Sequence, residues 1–341
     1  MREIKYISPT SLHQWESDRE QFFIDRLADT RSPRSGQSPA ASVGSSFDAF
    51  VKCALFQKIY GTNGGGIFDT KRLFNEQVDD EENKAFAWRA GEECFKRYVA
   101  CGAFAELLVE LTSSTKEPRF EFSLQGEVGG IPLQGKPDLY YYRDVHVLYD
   151  WKVMGFCSSS ATSPSKLYRC CRDTWIPDEH IKATRGGGQP RAHKNYTEIE
   201  YKGHKIGSHW MDETNPKWAD QLCIYGWLMG VPVGCEDFIV GIDQLACKPA
   251  PKDKEGKCLC EYPLIRVAQH RCRISKDFQT ALMRRLEGMY EAIKTGYIFD
   301  TLSREENDAR IELLNEMVAA EDQDEDRADI WAMCEERQYR G

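Results

Sequence analysis

The hydrophobic period of this chain switches at Pro118, and no other feature limits its fold so tightly. Before that point apolar residues recur at helical spacing. Leu12, Trp15, Phe22, Phe23 and Leu27 follow a Ser8-Pro9-Thr10-Ser11 helix start. Phe47, Phe50, Val51, Leu55 and Ile59 form a second series, and Phe86, Ala90, Cys94, Tyr98 and Leu107 a third within 81–110. Beyond Pro118 the pattern alternates. Residues 119–125, 133–142 and 145–153 read as a three-strand meander turned at Gly129-Gly130. Further helices are expected over 218–228 and 276–294, and further strands over 238–245 and 264–274. Helices followed by a strand-rich middle predict an α/β class.

At 341 residues the chain can bury a sizeable core. Its apolar runs are too short for a membrane span, and Met1-Arg2-Glu3-Ile4-Lys5 lacks the apolar stretch of a secretory signal. A cytoplasmic protein without membrane contact is expected. Thirteen cysteines, an odd number spread over a long chain, are expected as free thiols. The net charge of −9 lies at one end: residues 300–341 hold fourteen Asp and Glu against five Arg, which leaves the first 299 neutral. The stretch 301–341 is therefore read as an acidic C-terminal helix or tail, either solvated or docked away from an anionic ligand.

Residues 155–217 hold few aliphatic positions and include Ser158-Ser159-Ser160 and Arg185-Gly186-Gly187-Gly188, so a basic, loop-rich insertion is expected there. Its basic side chains Lys166, Arg169, Arg172, Lys182, Arg185, Arg191 and Lys194 are candidates for meeting the phosphates of a polyanionic ligand. Tyr168, Trp175, Tyr196 and Trp210 interleave with them, either as stacking platforms for bases or as packing of the insertion onto the body. His180, His193, His204 and His209 lie in the same region without the spacing of a ligand pair.

The chemistry concentrates in Gly135-Lys136-Pro137-Asp138 and Tyr149-Asp150-Trp151-Lys152. A strand's side-chain period of two puts Asp150 and Lys152 on one face. An antiparallel neighbour joined through the Arg143-Asp144 turn brings Asp138 beside them. Two carboxylates next to a lysine suit a hard divalent ion, Mg²⁺ or Mn²⁺, with the Trp151 carbonyl as a further oxygen ligand. The lysine would orient, or help deprotonate, an attacking water.

Pro137-Asp138 followed by Asp150-x-Lys152 resembles the PD-(D/E)xK nuclease superfamily. Two further motifs are similar to its RecB-like exonuclease branch, which includes phage, bacterial and CRISPR-adaptation-type enzymes. Gly44-Ser45-Ser46-Phe47-Asp48 resembles Gly-x-x-x-His, and Gln221-Leu222-Cys223-Ile224-Tyr225 matches Gln-x-x-x-Tyr. The resemblance covers about residues 7–300 and implies a restriction-endonuclease-like nuclease domain over 1–300, with a central mixed sheet flanked by helices, that includes the insertion. It implies a metal-dependent deoxyribonuclease, most naturally an exonuclease in recombination, repair or phage replication. Asp138, Asp150, Lys152, Gln221 and Tyr225 are then catalytic, and Asp48, Asp138, Asp150 and the Trp151 carbonyl hold metal. Asp48 stands where the family has His, and Glu121 is its rival for that ligand position. A helicase, or a single-strand annealing or binding protein, would be the natural partner.

Some members of the branch carry an iron–sulfur cluster. Asp18 occupies the place of its first cysteine and no cysteine precedes Cys53, so no cluster is expected. Cys247, Cys258, Cys260 and Cys272, with His270, are the alternative candidates for a small zinc site. The rival functions are a nucleic-acid-binding scaffold on an inactive nuclease fold, a structure-selective endonuclease, and a zinc-stabilised interaction module.

Overall fold

The protein is described by a computed structural model covering residues 1–30, 36–61, 69–174 and 189–320. Its helices are α1 (Pro9–Ser17), α2 (Arg19–Arg26), α3 (Pro39–Tyr60), α4 (Thr70–Gln77), α5 (Glu81–Ala100), α6 (Ala103–Thr112), α7 (Met211–Thr214), α8 (Pro216–Leu228) and α9 (Lys276–Thr295). Its strands are β1 (Arg119–Phe120), β2 (Leu124–Val128), β3 (Ile131–Gly135), β4 (Leu139–Tyr142), β5 (His146–Met154), β6 (Cys170–Asp173), β7 (Glu198–Tyr201), β8 (His204–Gly207), β9 (Phe238–Lys248) and β10 (Leu264–Cys272). Residues 304–320 are also helical. No helix among the described residues is long and apolar enough to cross a membrane.

Two compact units divide the chain. Met1–Ser35, Leu124–Gly135 and Gln279–Gly341 form one, and Gly36–Ser123 with Lys136–Phe278 the other. In the first, Ser8 and Ser11 cap α1 reciprocally. Asp18 ends α1 and caps α2, its side chain accepting from the Gln21 N–H at 2.9 Å. One expected helix thus becomes two, because Asp18 offers the backbone a cap in mid-run. The β2–β3 hairpin completes this unit's strands, with Ile7 bridged to Leu133.

The second unit is mixed α/β around a six-stranded sheet of order β1-β4-β5-β9-β10-β6. Only β5 and β9 run parallel; β1–β4, β4–β5, β9–β10 and β10–β6 are antiparallel. On one face Val147, Tyr149 and Trp151 of β5 join Ile239 and Leu245 of β9 in a core with Phe47 and Val51 of α3, Cys94 and Tyr98 of α5 and Leu107 of α6. On the other, Leu148 and Phe238 meet α8 at Gly226. Helices α3 and α5 cross closely at Gly91, where an added Cβ would lie 2.8 Å from the Phe47 nitrogen. That close approach seats the turn of α3 that carries Asp48.

The expected meander is interrupted twice. Glu121 takes a positive φ of 47°, ending β1 two residues into the predicted strand. The predicted strand over 133–142 breaks at Lys136-Pro137-Asp138, because proline has no N–H for a ladder. The hairpin β2–β3 therefore leaves the main sheet, and β1 pairs with β4 directly. Helix 81–110 likewise divides at Gly102, whose φ is 85°. The described residues of 155–217 include three strands. Strand β6 is an edge strand of the main sheet and β7–β8 a separate hairpin. Cys170-Cys171-Arg172-Asp173 lacks an apolar alternation, so only its pairing with β10 reveals it as a strand.

Candidate active site

Four elements of the second unit bring the candidate residues together. Strand β4 begins at Leu139, opposite Tyr149, so β5 runs on past this partner through Asp150, Trp151 and Lys152. On its other edge β5 stays paired with β9 as far as Met154, which keeps it rigid there. The period of two holds: the Lys152 ammonium lies 2.9 Å from Asp150 Oδ1, and Trp151 points to the opposite face. Asp138 follows Pro137 just before β4 and lines the same cavity as Asp150 and Lys152.

Helix α8 supplies Gln221 and Tyr225, one turn apart on one face. The Gln221 amide donates to Asp150 Oδ2 at 2.6 Å and to the Tyr225 hydroxyl at 3.0 Å. Its carbonyl accepts from Lys152 at 3.0 Å. Helix α3 supplies Asp48 and, one turn on, Lys52. The fully buried Lys52 ammonium contacts Asp48 at 2.5 Å, Asp138 at 2.8 Å, and Glu121. Lys136 pairs with Glu121 from outside.

Asp48 and Glu121 are therefore not rivals: both face Asp138. One ligand oxygen from each of the three lies within 4.8 Å of the others, close enough for a divalent ion. This is the one such group among the described residues. Asp48 Oδ2 accepts from Gln77 at 2.9 Å, whereas Asp48 Oδ1 is buried without a hydrogen-bond partner. A cavity of about 540 Å³ opens over these groups, lined also by Gly44, Ser45 and Val153.

Burial, reinforced by the Asp138 charge against the pull of Lys152, pushes Asp150 up to about 7. Burial does the same to Asp48, up to about 8, with Lys52 opposing and Asp138 and Glu121 adding. For Asp138 burial is outweighed by Lys52 and Lys152, which hold its carboxyl below the ordinary value. Both lysines in turn are raised, because the carboxylates outweigh their desolvation.

A pH dependence follows. Asp150 keeps a proton in the folded state that the unfolded chain releases near pH 4. The native state thus binds more protons above pH 4, so this contribution to stability is complete below that point and lost as pH rises through about 7. A divalent ion bound there would take the proton's place. The rise in melting temperature on adding Mn²⁺ should be larger at pH 8 than at pH 6; equal shifts would show that no proton is displaced.

Lys52, Lys136 and Gln77 carry no signal in the motifs. A lysine four residues after an aspartate on a helix reads as a solvated pair, and only long-range contacts bury this one. Of the basic insertion residues, Arg169 and Arg172 pair with Glu106, and Arg191 with Asp173 at 3.0 Å. Lys166 and Lys194 are exposed. Lys182, Arg185, Trp175, His180 and the glycine run at 186–188 lie outside the described residues, as does the acidic stretch from 321 onward. Tyr168 packs on His193 and His270, Tyr196 on His209, and Trp210 on Arg273. Cys247, His270 and Cys272 are buried in β9 and β10, Cys258 is exposed, and these residues do not converge on a common point.

No protein-family model matches the chain, and no curated protein matches it. Among solved structures it is similar to a protein from Eubacterium rectale described as a "putative exonuclease". Identity is 16%, with 86% of this chain and 82% of that one covered, at a TM-score of 0.43. It is similar also to SSO0001, at 9% identity, 83% and 84% coverage and a TM-score of 0.23. Likenesses this distant say nothing of the site, whose chemistry follows from its own residues.

Proposed function

We propose that the chain is a metal-dependent nuclease that hydrolyses phosphodiester bonds in DNA, acting from ends as an exonuclease. The observation that supports this most is the convergence of Asp138, Asp150 and Lys152 on one open cavity, with Lys152 paired to Asp150. Asp138, Asp150 and the Trp151 carbonyl would hold Mg²⁺ or Mn²⁺. The ion's contribution, when bound, is Lewis-acid polarisation of the phosphate and a lower pKa for the attacking water.

The protein's own groups do the rest. Lys152 holds the water for in-line attack, forming one P–O bond as the opposite one breaks. Gln221 fixes Lys152 and Asp150 with one amide group, and Tyr225 fixes Gln221. Charge favours the reaction too. With every group ionised, the four carboxylates of Asp48, Glu121, Asp138 and Asp150 face three ammonium groups, those of Lys52, Lys136 and Lys152. A divalent cation would then make the site positive and attract a phosphodiester. Lys136, 54% exposed at the cavity, and the exposed Lys166 and Lys194 would add contacts to the DNA backbone.

End-labelled linear DNA and a covalently closed circle, each with Mg²⁺, Mn²⁺ or EDTA, test the reading. Loss of the linear DNA alone, and only with metal, is expected. Cutting of the circle would make the protein an endonuclease, and intact DNA in every lane would leave a binding scaffold.

A further inference from the structure

We infer that Lys52 is a built-in cation that closes the Asp48–Glu121–Asp138 group to a divalent ion, so that the site takes one metal, at Asp138 and Asp150, rather than two. The three carboxylates have the spacing of a metal group, yet the Lys52 ammonium touches all three. It is fully buried and reaches them from α3, where Val51, Cys53 and Leu55 on both sides are buried as well. It is therefore not a solvated surface lysine: withdrawal would break three ion pairs at once and strand their carboxylates. A second ion seated there would lie against a positive charge, with each carboxylate shared between them.

The neighbouring groups are arranged around that ammonium. Lys136 takes the other oxygen of Glu121, and Gln77 donates to the same Asp48 oxygen that Lys52 uses. Asp48 Oδ1 is left buried and unpartnered, the oxygen an ion could take if Lys52 were gone. Asp150 belongs to a different surrounding, made by Lys152 and Gln221, and has no contact with Lys52. The acidic site is thus two compartments that share Asp138, one filled by Lys52 and one open to an exchangeable cation. Asp48, at the family's usual ligand position, becomes a positioning residue that holds Lys52.

The inference rests on the metal-dependent reading above, and counting bound ions separates the two. Mn²⁺ bound per chain would be counted by electron paramagnetic resonance for the full-length wild type, Lys52→Met and Lys52→Arg. One ion is expected in the wild type and in Lys52→Arg, and one more in Lys52→Met, with the spin-coupled signal of a close pair. Equal counts in wild type and Lys52→Met would overturn the inference, as would two ions in the wild type. No Mn²⁺ in the wild type would instead refute the metal-dependent reading. Asp48→Asn keeps the question open to test if Lys52→Met does not fold. The Asp48→Asn variant should still bind one Mn²⁺ per chain; a variant that binds none, or two, would overturn the inference.

Discussion

Asp150→Asn should reduce Mn²⁺-supported cleavage of linear DNA by about a thousandfold or more, while the protein remains folded. The asparagine keeps the shape of the side chain and can still meet Gln221 and Lys152. It removes the charge that, with Asp138, would hold the ion. Lys152→Met should fall by about a hundred- to a thousandfold for another reason. Its metal compartment stays intact and only the group that orients the water is lost. The pair separates the two roles when cleavage rate and Mn²⁺ affinity are measured together. Asp150→Asn should lose both, and Lys152→Met should lose rate and keep the ion. A Lys152→Met protein with unchanged rate would exclude the mechanism, whatever its metal content. An Asp150→Asn protein that binds Mn²⁺ like the wild type would move the ion to another set of oxygens.

What was legible in the sequence is what depends on local periodicity. Asp150 and Lys152 share a face because strands alternate, and Gln221 and Tyr225 share one because they are a turn apart on α8. The α/β class followed from the switch of period at Pro118, whereas the number and order of the sheet's strands did not. Lys52 was not legible, since its acidic partners Glu121 and Asp138 lie 69 and 86 residues away. Asp48 and Glu121 read as alternatives for a related reason: a linear motif assigns one residue per role, whereas the fold lets a helix and a strand end face the same point. The strand breaks at Glu121 and Pro137 also needed the fold. Each looked like one position in an alternating run, yet each ends a strand, and the second leaves Asp138 on a turn beside the cavity. Edge strand β6 escaped notice because an edge can be short and polar when its partner β10 fixes the register.

The rigidity that this chemistry requires comes from behind the sheet, and Asp243→Ala should expose it with a loss of about 3–5 kcal/mol in unfolding free energy. Asp243 pairs with Trp151 across β5 and β9, so it sits directly behind the residue between Asp150 and Lys152. It is fully buried and accepts from the Tyr98 hydroxyl at 2.6 Å, while Tyr98 accepts from the Trp151 indole at 3.3 Å. Its other oxygen lies 3.2 Å from Arg271, which is 3% exposed, donates to the Tyr149 hydroxyl at 2.5 Å and stacks over that ring at 4.3 Å. Alanine leaves this guanidinium buried with only Glu110, 3.7 Å away, as a nearby carboxylate. It also frees Trp151 to turn. In a unit of this size the loss corresponds to a fall of roughly 6–20 °C in melting temperature. The double variant Asp243→Ala with Arg271→Met should recover much of it, because removing both charges is far less costly than stranding one. Urea unfolding of the two variants checks this. A single variant within about 1 kcal/mol of the wild type would mean that the buried pair does not hold β5 in place. A double variant as stable as the wild type but slower in cleavage would show the pair acting through Trp151 to align Asp150 with Lys152.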